Sequence, residues 1–296
     1  MNAKRVVVTI AALAVLAAGC GRLNDGPDDA GGSGGSGASG AGAISHPTGA
    51  DDLVLRVEYE GGFVPYGFTL SNMPAWSLFG DGTLITQGPQ IEIYPPPALP
   101  SLIRTPITED GVQAILQAAQ DAGLMDDANY GDQCIADAPT TVFTTYANGS
   151  RSVVSAYALD MGEPGGTCGS TQDAKARAAL VGFQAKLGDL TSWLPPGSVG
   201  QETPFDPTEM RVYVLPYQRD PQLPQEAIDW PVDTPLSAFA ATLSGDAQTR
   251  CGVVAGDEFE RVYAAAQSAN QLTPWMSDGE KYQLILRPLL PDEHGC

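Results

Sequence analysis

Residues 140–157 read TTVFTTYANGSRSVVSAY. Asn148-Gly149 is the pairing that best suits a two-residue turn, because both central positions then need positive φ. On either side, Thr140–Tyr146 and Arg151–Tyr157 are rich in Val, Thr and Tyr, which favour a pleated, half-buried surface. Asn148-Gly149-Ser150 is also a glycosylation sequon, but the turn reading takes precedence. An antiparallel hairpin follows. It decides the fold class, since strands joined this way need no crossover helices.

Working outward, Leu53, Leu55, Val57 and Tyr59 alternate along one face of a strand over 53–59. Trp76–Phe79 and Thr83–Ile85 flank Gly80-Asp81-Gly82 and form a second hairpin. Thr108 caps a helix whose first turn carries Glu109 and Asp110, favourable at the positive helix end. Val112, Ile115, Leu116 and Ala119 make its apolar face, and Gly123 suits its C-terminal cap. Ser170 is expected to cap a further helix presenting Ala176, Leu180, Phe183 and Leu187. Leu194–Thr208 is rich in Pro and Gly and reads as a boundary. Beyond it come a strand over Met210–Leu215, a helix over Asp257–Ala269 with Phe259, Val262, Tyr263 and Ala266 inward, and a strand over Tyr282–Arg287 stopped by Pro288.

The expected fold is α+β: antiparallel strands and hairpins with a few packed helices, stapled by disulfides. The expected domains are 51–194 and a smaller 208–296. Residues 111–120 align with 258–267, sharing apolar positions and an Ala-Ala-Gln ending. Two diverged copies of a β-rich, single-helix module would explain this, and so would chance likeness between two Ala-rich amphipathic helices.

Charge narrows the function classes. The chain of 296 residues has 15 Lys and Arg against 35 Asp and Glu, a formal charge of −20. Such a chain repels phosphate backbones, so no nucleic-acid partner is expected. It has two histidines, His46 and His294. A Ser-His-Asp triad therefore lacks its base, and a His-ligated zinc site lacks its ligands. No phosphate-binding glycine loop and no Gly-x-Ser-x-Gly elbow is present. A Ser-Lys dyad would have to use Lys175, Lys186 or Lys281, and the first two fall on a helix among solvated neighbours. Asp126, Asp127, Asp132 and Asp137 crowd one loop without the spacing of a calcium-binding hand, so that loop reads as solvated. No catalytic residue, metal ligand or cofactor is assigned.

The N-terminus speaks about location. Lys4 and Arg5 precede the apolar run Val6–Ala18, which is too short to span a bilayer and ends in Leu16-Ala17-Ala18-Gly19-Cys20. This resembles the signal peptide and lipobox of bacterial lipoproteins, with Ala17 where that family usually has Leu. The resemblance implies cleavage after residue 19 and diacylation of Cys20, with the anchor in the membrane's outer leaflet. The rival is an ordinary secretory signal with a chance cysteine. Losing residues 1–19 removes Lys4 and Arg5 and no acid, leaving −22. Residues 20–50 then form a tether, since Gly21–Ala50 contains ten glycines. His46 is expected to be solvated within it.

Cys134, Cys168, Cys251 and Cys296 remain, an even number in an exported chain. Four cysteines allow three pairings. Cys134–Cys168 and Cys251–Cys296 are expected, because each closes a loop within one candidate domain.

Tyr59, Phe63, Tyr66, Phe68 and Trp76 concentrate in one region around Gly61-Gly62. Phe63, Tyr66, Phe68 and Trp76 are the candidate binding residues, lining a groove for a sugar or peptide if they are not core. Glu60-Gly61-Gly62-Phe63 followed by strands, a helix and a hairpin resembles emfourin-type protease-inhibitor domains. That resemblance implies an inhibitor and fixes no inhibitory residue here. The Lys-poor, Ala- and Gly-rich composition and the ending Arg287–Glu293 look like those of actinobacterial lipoproteins. The combined expectation is a membrane-anchored, non-catalytic module that binds a protein or cell-wall component. A secreted-protease inhibitor and a carboxylate-dependent envelope glycan hydrolase are the alternatives.

Overall fold

A computed structural model describes residues 42–131, 135–159, 161, 173–243 and 246–296. Cys20, Asp132, Cys134, Cys168 and Ser170 lie outside the described residues, and with them the lipidation site and one expected disulfide.

Among the described residues two largely antiparallel sheets and five α-helices make an α+β fold. The first part of the chain runs β1 (Leu53–Gly61), α1 (Tyr66–Ser71), β2 (Trp76–Phe79), β3 (Thr83–Gln87), β4 (Leu102–Pro106), α2 (Glu109–Asp121), β5 (Ala128–Tyr130), β6 (Pro139–Ala147), β7 (Ser150–Tyr157), α3 (Ala174–Leu187) and β8 (Thr203–Pro204). Its eight strands lie in the order β5-β7-β6-β1-β2-β3-β4-β8. The Asn148-Gly149 hairpin forms as read: Ala147 faces Ser150, and the turn residues have φ of 53° and 74°.

One face of this sheet is covered by α2 and α3. Leu55, Val57, Leu78, Phe143 and Val154 from the strands meet Ile115, Leu116, Leu180 and Phe183 from the helices. Each large apolar side chain so buried stabilises by about 1.5–3 kcal/mol relative to exposure. At the start of α2 the Thr108 hydroxyl accepts from the Gly111 N–H. At its end Gly123 turns left-handed with φ 85°, and the Leu124 N–H reaches back to the Ala119 carbonyl. That pattern satisfies carbonyls the helix leaves open.

The second part runs β9 (Glu209–Pro216), β10 (Ile228–Asp229), α4 (Leu236–Phe239), β11 (Ala241–Leu243), β12 (Asp246–Ala255), α5 (Gly256–Ala266), β13 (Pro274–Ser277) and β14 (Glu280–Pro288). The sheet order is β10-β13-β14-β9-β12-β11. Met210, Val212 and Val214 of β9 are buried together with Phe259, Val262 and Ala266 of α5, while Tyr263 is only partly covered.

Helices α2 and α5 bury equivalent positions of the aligned stretch, Val112, Ile115 and Ala119 against Phe259, Val262 and Ala266. The strands after them connect differently. In the first sheet the leading strand of the hairpin, β6, pairs with the central strand β1. In the second, the trailing strand β14 pairs with the central strand β9.

Residues 42–296 make one compact unit. Its seam is built from the chain between β1 and β2 and from the tail after β14. Met73 and Leu290 pack with Phe79 and Ile85 of the first sheet. Leu70 packs with Tyr213 and Cys251 of the second. Arg56 donates to Asp292 at 2.6 Å, and Arg287 donates to both Glu293 oxygens and to the Asn72 carbonyl. Cys251–Cys296 forms as expected and holds the tail to β12.

The expectation of a solvated tether through residue 50 needs correction. Ile44 is 7% exposed and packs in the first core. The Gln113 amide bonds both its N–H and its carbonyl, and the Asn148 N–H donates to Ser45. His46 is not solvated either. Its side chain is 4% exposed, with Nδ1 2.6 Å from the Pro47 carbonyl and Nε2 3.2 Å from Glu109. Ile44, the Gln113 amide and the contacts of Ser45 and His46 together dock this segment.

Candidate functional site

A cleft of about 520 Å³ opens where α3 ends over the first sheet. The strand register builds its floor. Val57 faces Trp76, Trp76 faces Thr86, and Leu84 faces Thr105, so four neighbouring strands present these side chains on the helix-covered face. Leu187 and Leu190 close the floor from the helix side. Tyr59, Gln87, Asp189, Thr191 and Glu202 form an exposed rim. Asp189 stands there because α3 stops at Gly188, after which a short 3-10 turn runs over Leu190–Ser192.

Hydrogen bonds fix the rim. Gln184 of α3 donates to the Tyr59 hydroxyl, and Gln87 donates to the Met73 carbonyl. Each amide thus spends one N–H on the protein. The Thr191 hydroxyl donates to Asp189. Among the described residues no Lys or Arg lines the cleft. The C-terminal end of α3 adds partial negative charge. In the floor, the Trp76 indole N–H is one of two buried side-chain polar atoms without a partner among the described residues. An orphaned donor of this kind costs about 1–3 kcal/mol.

The four candidate binding residues separate. Trp76 is 5% exposed, paired on both sides within the sheet, and belongs to the cleft floor. Phe63, at 89% exposure, stands in the open after Gly61 and Gly62, both of which have positive φ. Tyr66 and Phe68 lie half-exposed on α1, not in the cleft. Tyr66 instead meets Asp246 of β12: the Thr249 hydroxyl, the Gln248 N–H and the Tyr66 hydroxyl together hold the Asp246 carboxyl down to about 2.

Gln87, the last residue of β3, and Tyr59, two residues before the end of β1, lie at the same end of the strands, on either side of the start of β2. Two exposed apolar stretches leave from that end, one carrying Phe63 and the other Ile91, Ile93 and Tyr94. The cleft itself had no sequence signature, because its walls come from segments up to 145 positions apart, Val57 to Glu202. Alternation along 53–59 was the one available hint. Among the described residues, no group of three or more His, Cys, Asp or Glu side chains is placed to hold a metal. No helix among them is long and apolar enough to cross a membrane.

Comparison with known protein families, with characterised proteins and with solved structures returns no match to this chain.

Proposed function

We propose that the protein is a lipid-anchored, extracytoplasmic binding module that holds its ligand in the cleft beneath the end of α3. The cleft carries this reading. Its volume falls in the range of ligand sites, about 300–1,000 Å³, and it joins an apolar floor to a polar rim. Leu16–Cys20 and the Cys251–Cys296 disulfide support an exported, anchored chain. The charge of the mature chain favours a domain held off an anionic membrane.

The test pairs location with binding. Cys20→Ala is expected to move the protein from the membrane fraction to the medium, and retention on the membrane overturns the anchor. Crosslinking in native cells with an aryl azide on Cys placed at Thr191 should capture one recurrent ligand or partner, lost on Thr86→Trp, which fills the cleft. Capture unaffected by Thr86→Trp overturns the cleft as the site. Turnover abolished by Asp189→Asn or Glu202→Gln would replace binding by hydrolysis.

Exposure of Phe63 favours a second reading, a protease inhibitor presenting this loop. Under it, residues 42–296 suppress a secreted protease and Phe63→Ala relieves the suppression.

A further inference from the structure

Resting on the cleft reading above, we infer that the occupant is an amphipathic organic cation, an ammonium or guanidinium group carried on an apolar body. The chemistry of the walls is one-sided. Asp189 and Glu202 sit on the rim, and among the described residues no basic side chain lines the site. The end of α3 adds negative potential, and the whole chain adds more. An anion meets repulsion from each of these sources. A wholly apolar ligand would cover the rim acceptors without bonding them, which costs free energy at every buried group. A cation satisfies them.

The floor asks for the other half of the ligand. Val57, Trp76, Leu84, Leu187 and Leu190 offer apolar surface below the acidic rim, and the indole of Trp76 belongs to that surface. The apolar body of the ligand gains by covering this floor, while its charge meets the carboxylates of the rim. A ligand with its charge at one end matches this polarity: body toward the sheet, head between Asp189 and Glu202.

The experiment is a three-member probe series of nearly equal shape: 2-phenylethylammonium, 2-phenylethanol and 3-phenylpropionate, titrated into residues 20–296 and followed by isothermal calorimetry and amide chemical shifts. The ammonium is expected to bind about tenfold tighter than the alcohol at low salt, the scale of a pair of exposed ion contacts. The carboxylate is expected to bind weakest. Raising salt to 1 M, where the Debye length falls to about 3 Å, should remove most of the difference. Asp189→Asn with Glu202→Gln should equalise ammonium and alcohol and leave the melting temperature unchanged, because both side chains are exposed. Asp110→Asn, away from the cleft, should leave the binding of all three probes unchanged. Equal binding of ammonium and alcohol by the wild type, with shifts at Trp76, overturns the cationic assignment and leaves the cleft standing. Absence of any shift at Trp76 or Gln184 with all three probes overturns both.

Discussion

Replacing Glu293 by Gln tests the seam between the sheets. Arg287 is 6% exposed and donates through two guanidinium nitrogens to the two Glu293 oxygens at 2.8 and 2.7 Å. Glu293, whose side chain is 14% exposed, also accepts from the Leu290 N–H at 2.9 Å. Glutamine keeps the shape but turns one acceptor into a donor facing Arg287, removing the one carboxylate hydrogen-bonded to this buried cation among the described residues and leaving only the charge of Glu58 nearby. Breaking one partner of a buried pair costs about 3–5 kcal/mol, and the residual exposure here favours the lower figure, about 3. In a chain of this size that corresponds to about 6–12 °C in Tm. Burial alone would raise the Glu293 carboxyl, but the hydrogen bonds and charge of Arg287, the Leu290 N–H and Arg56 outweigh it, so it lies below its ordinary value. A carboxyl lowered by folding contributes stability above its unfolded value, near 4.3, and loses that contribution as pH falls through the folded value. The gap between wild type and Glu293→Gln should therefore be full at neutral pH and shrink below about pH 4.3. Urea denaturation followed by circular dichroism at several pH values reads both effects. A loss under about 1 kcal/mol at pH 7, or a gap independent of pH, refutes the reasoning.

Three further outcomes follow from the packing. Cys251→Ser with Cys296→Ser opens a link between positions 45 apart and should cost about 2–4 kcal/mol in urea titrations. Ile44→Ala removes a buried side chain from the first core and should cost about 2–3 kcal/mol, with faster amide exchange at Asn148, whose N–H is held by Ser45. Gly82→Ala should lose more than about 1 kcal/mol by thermal denaturation, since φ is 80° and a Cβ would stand 2.1 Å from the Ile107 carbonyl oxygen.

Local rules made most of the elements legible. Asn148-Gly149 specified a turn, Thr108 and Gly123 bounded a helix, and alternation at Met210, Val212 and Val214 placed a strand, whose other face also buries Tyr213. Each of these signals lies within one short window, and its physics is local. The elements that escaped notice are short or contain residues that usually break structure. Helix α1 spans six residues, β13 begins with a proline, and β10 has two residues. Tertiary pairing holds them, β10 against Trp275 and Met276, for instance. The docked segment at Ile44 and His46 escaped for a related reason: glycine-rich flanks dominated the composition, while a single apolar side chain and the Gln113 amide fixed the backbone. The cleft escaped because register across four strands, rather than any motif, gathers Val57, Trp76, Thr86 and Thr105.

The seam and the cleft share one piece of chain, and that has a measurable consequence. Asn72 offers its carbonyl to Arg287, while its amide donates to the Tyr59 carbonyl at the rim of the cleft. The next residue, Met73, packs in the seam through its side chain and accepts from Gln87, another rim residue, through its carbonyl. Ala75 then lines the cleft and donates its N–H to Val57. Glu293 fixes Arg287, Arg287 fixes Asn72, and Asn72 fixes Tyr59. Loosening the first contact should therefore weaken ligand binding at a site that Glu293 does not line. Glu293→Gln is expected to reduce affinity for 2-phenylethylammonium about two- to fivefold at temperatures where the variant is fully folded, equivalent to about 0.5–1 kcal/mol of coupling. Double-mutant analysis with Tyr59→Phe identifies the route. Tyr59→Phe removes the hydroxyl that accepts from Gln184 and keeps the backbone carbonyl that Asn72 holds. The two losses should accordingly add. Strong non-additivity would place the coupling in the Tyr59 side chain instead of in the Asn72 backbone tie. Unchanged affinity in Glu293→Gln would mean that the rim is held by the sheet alone.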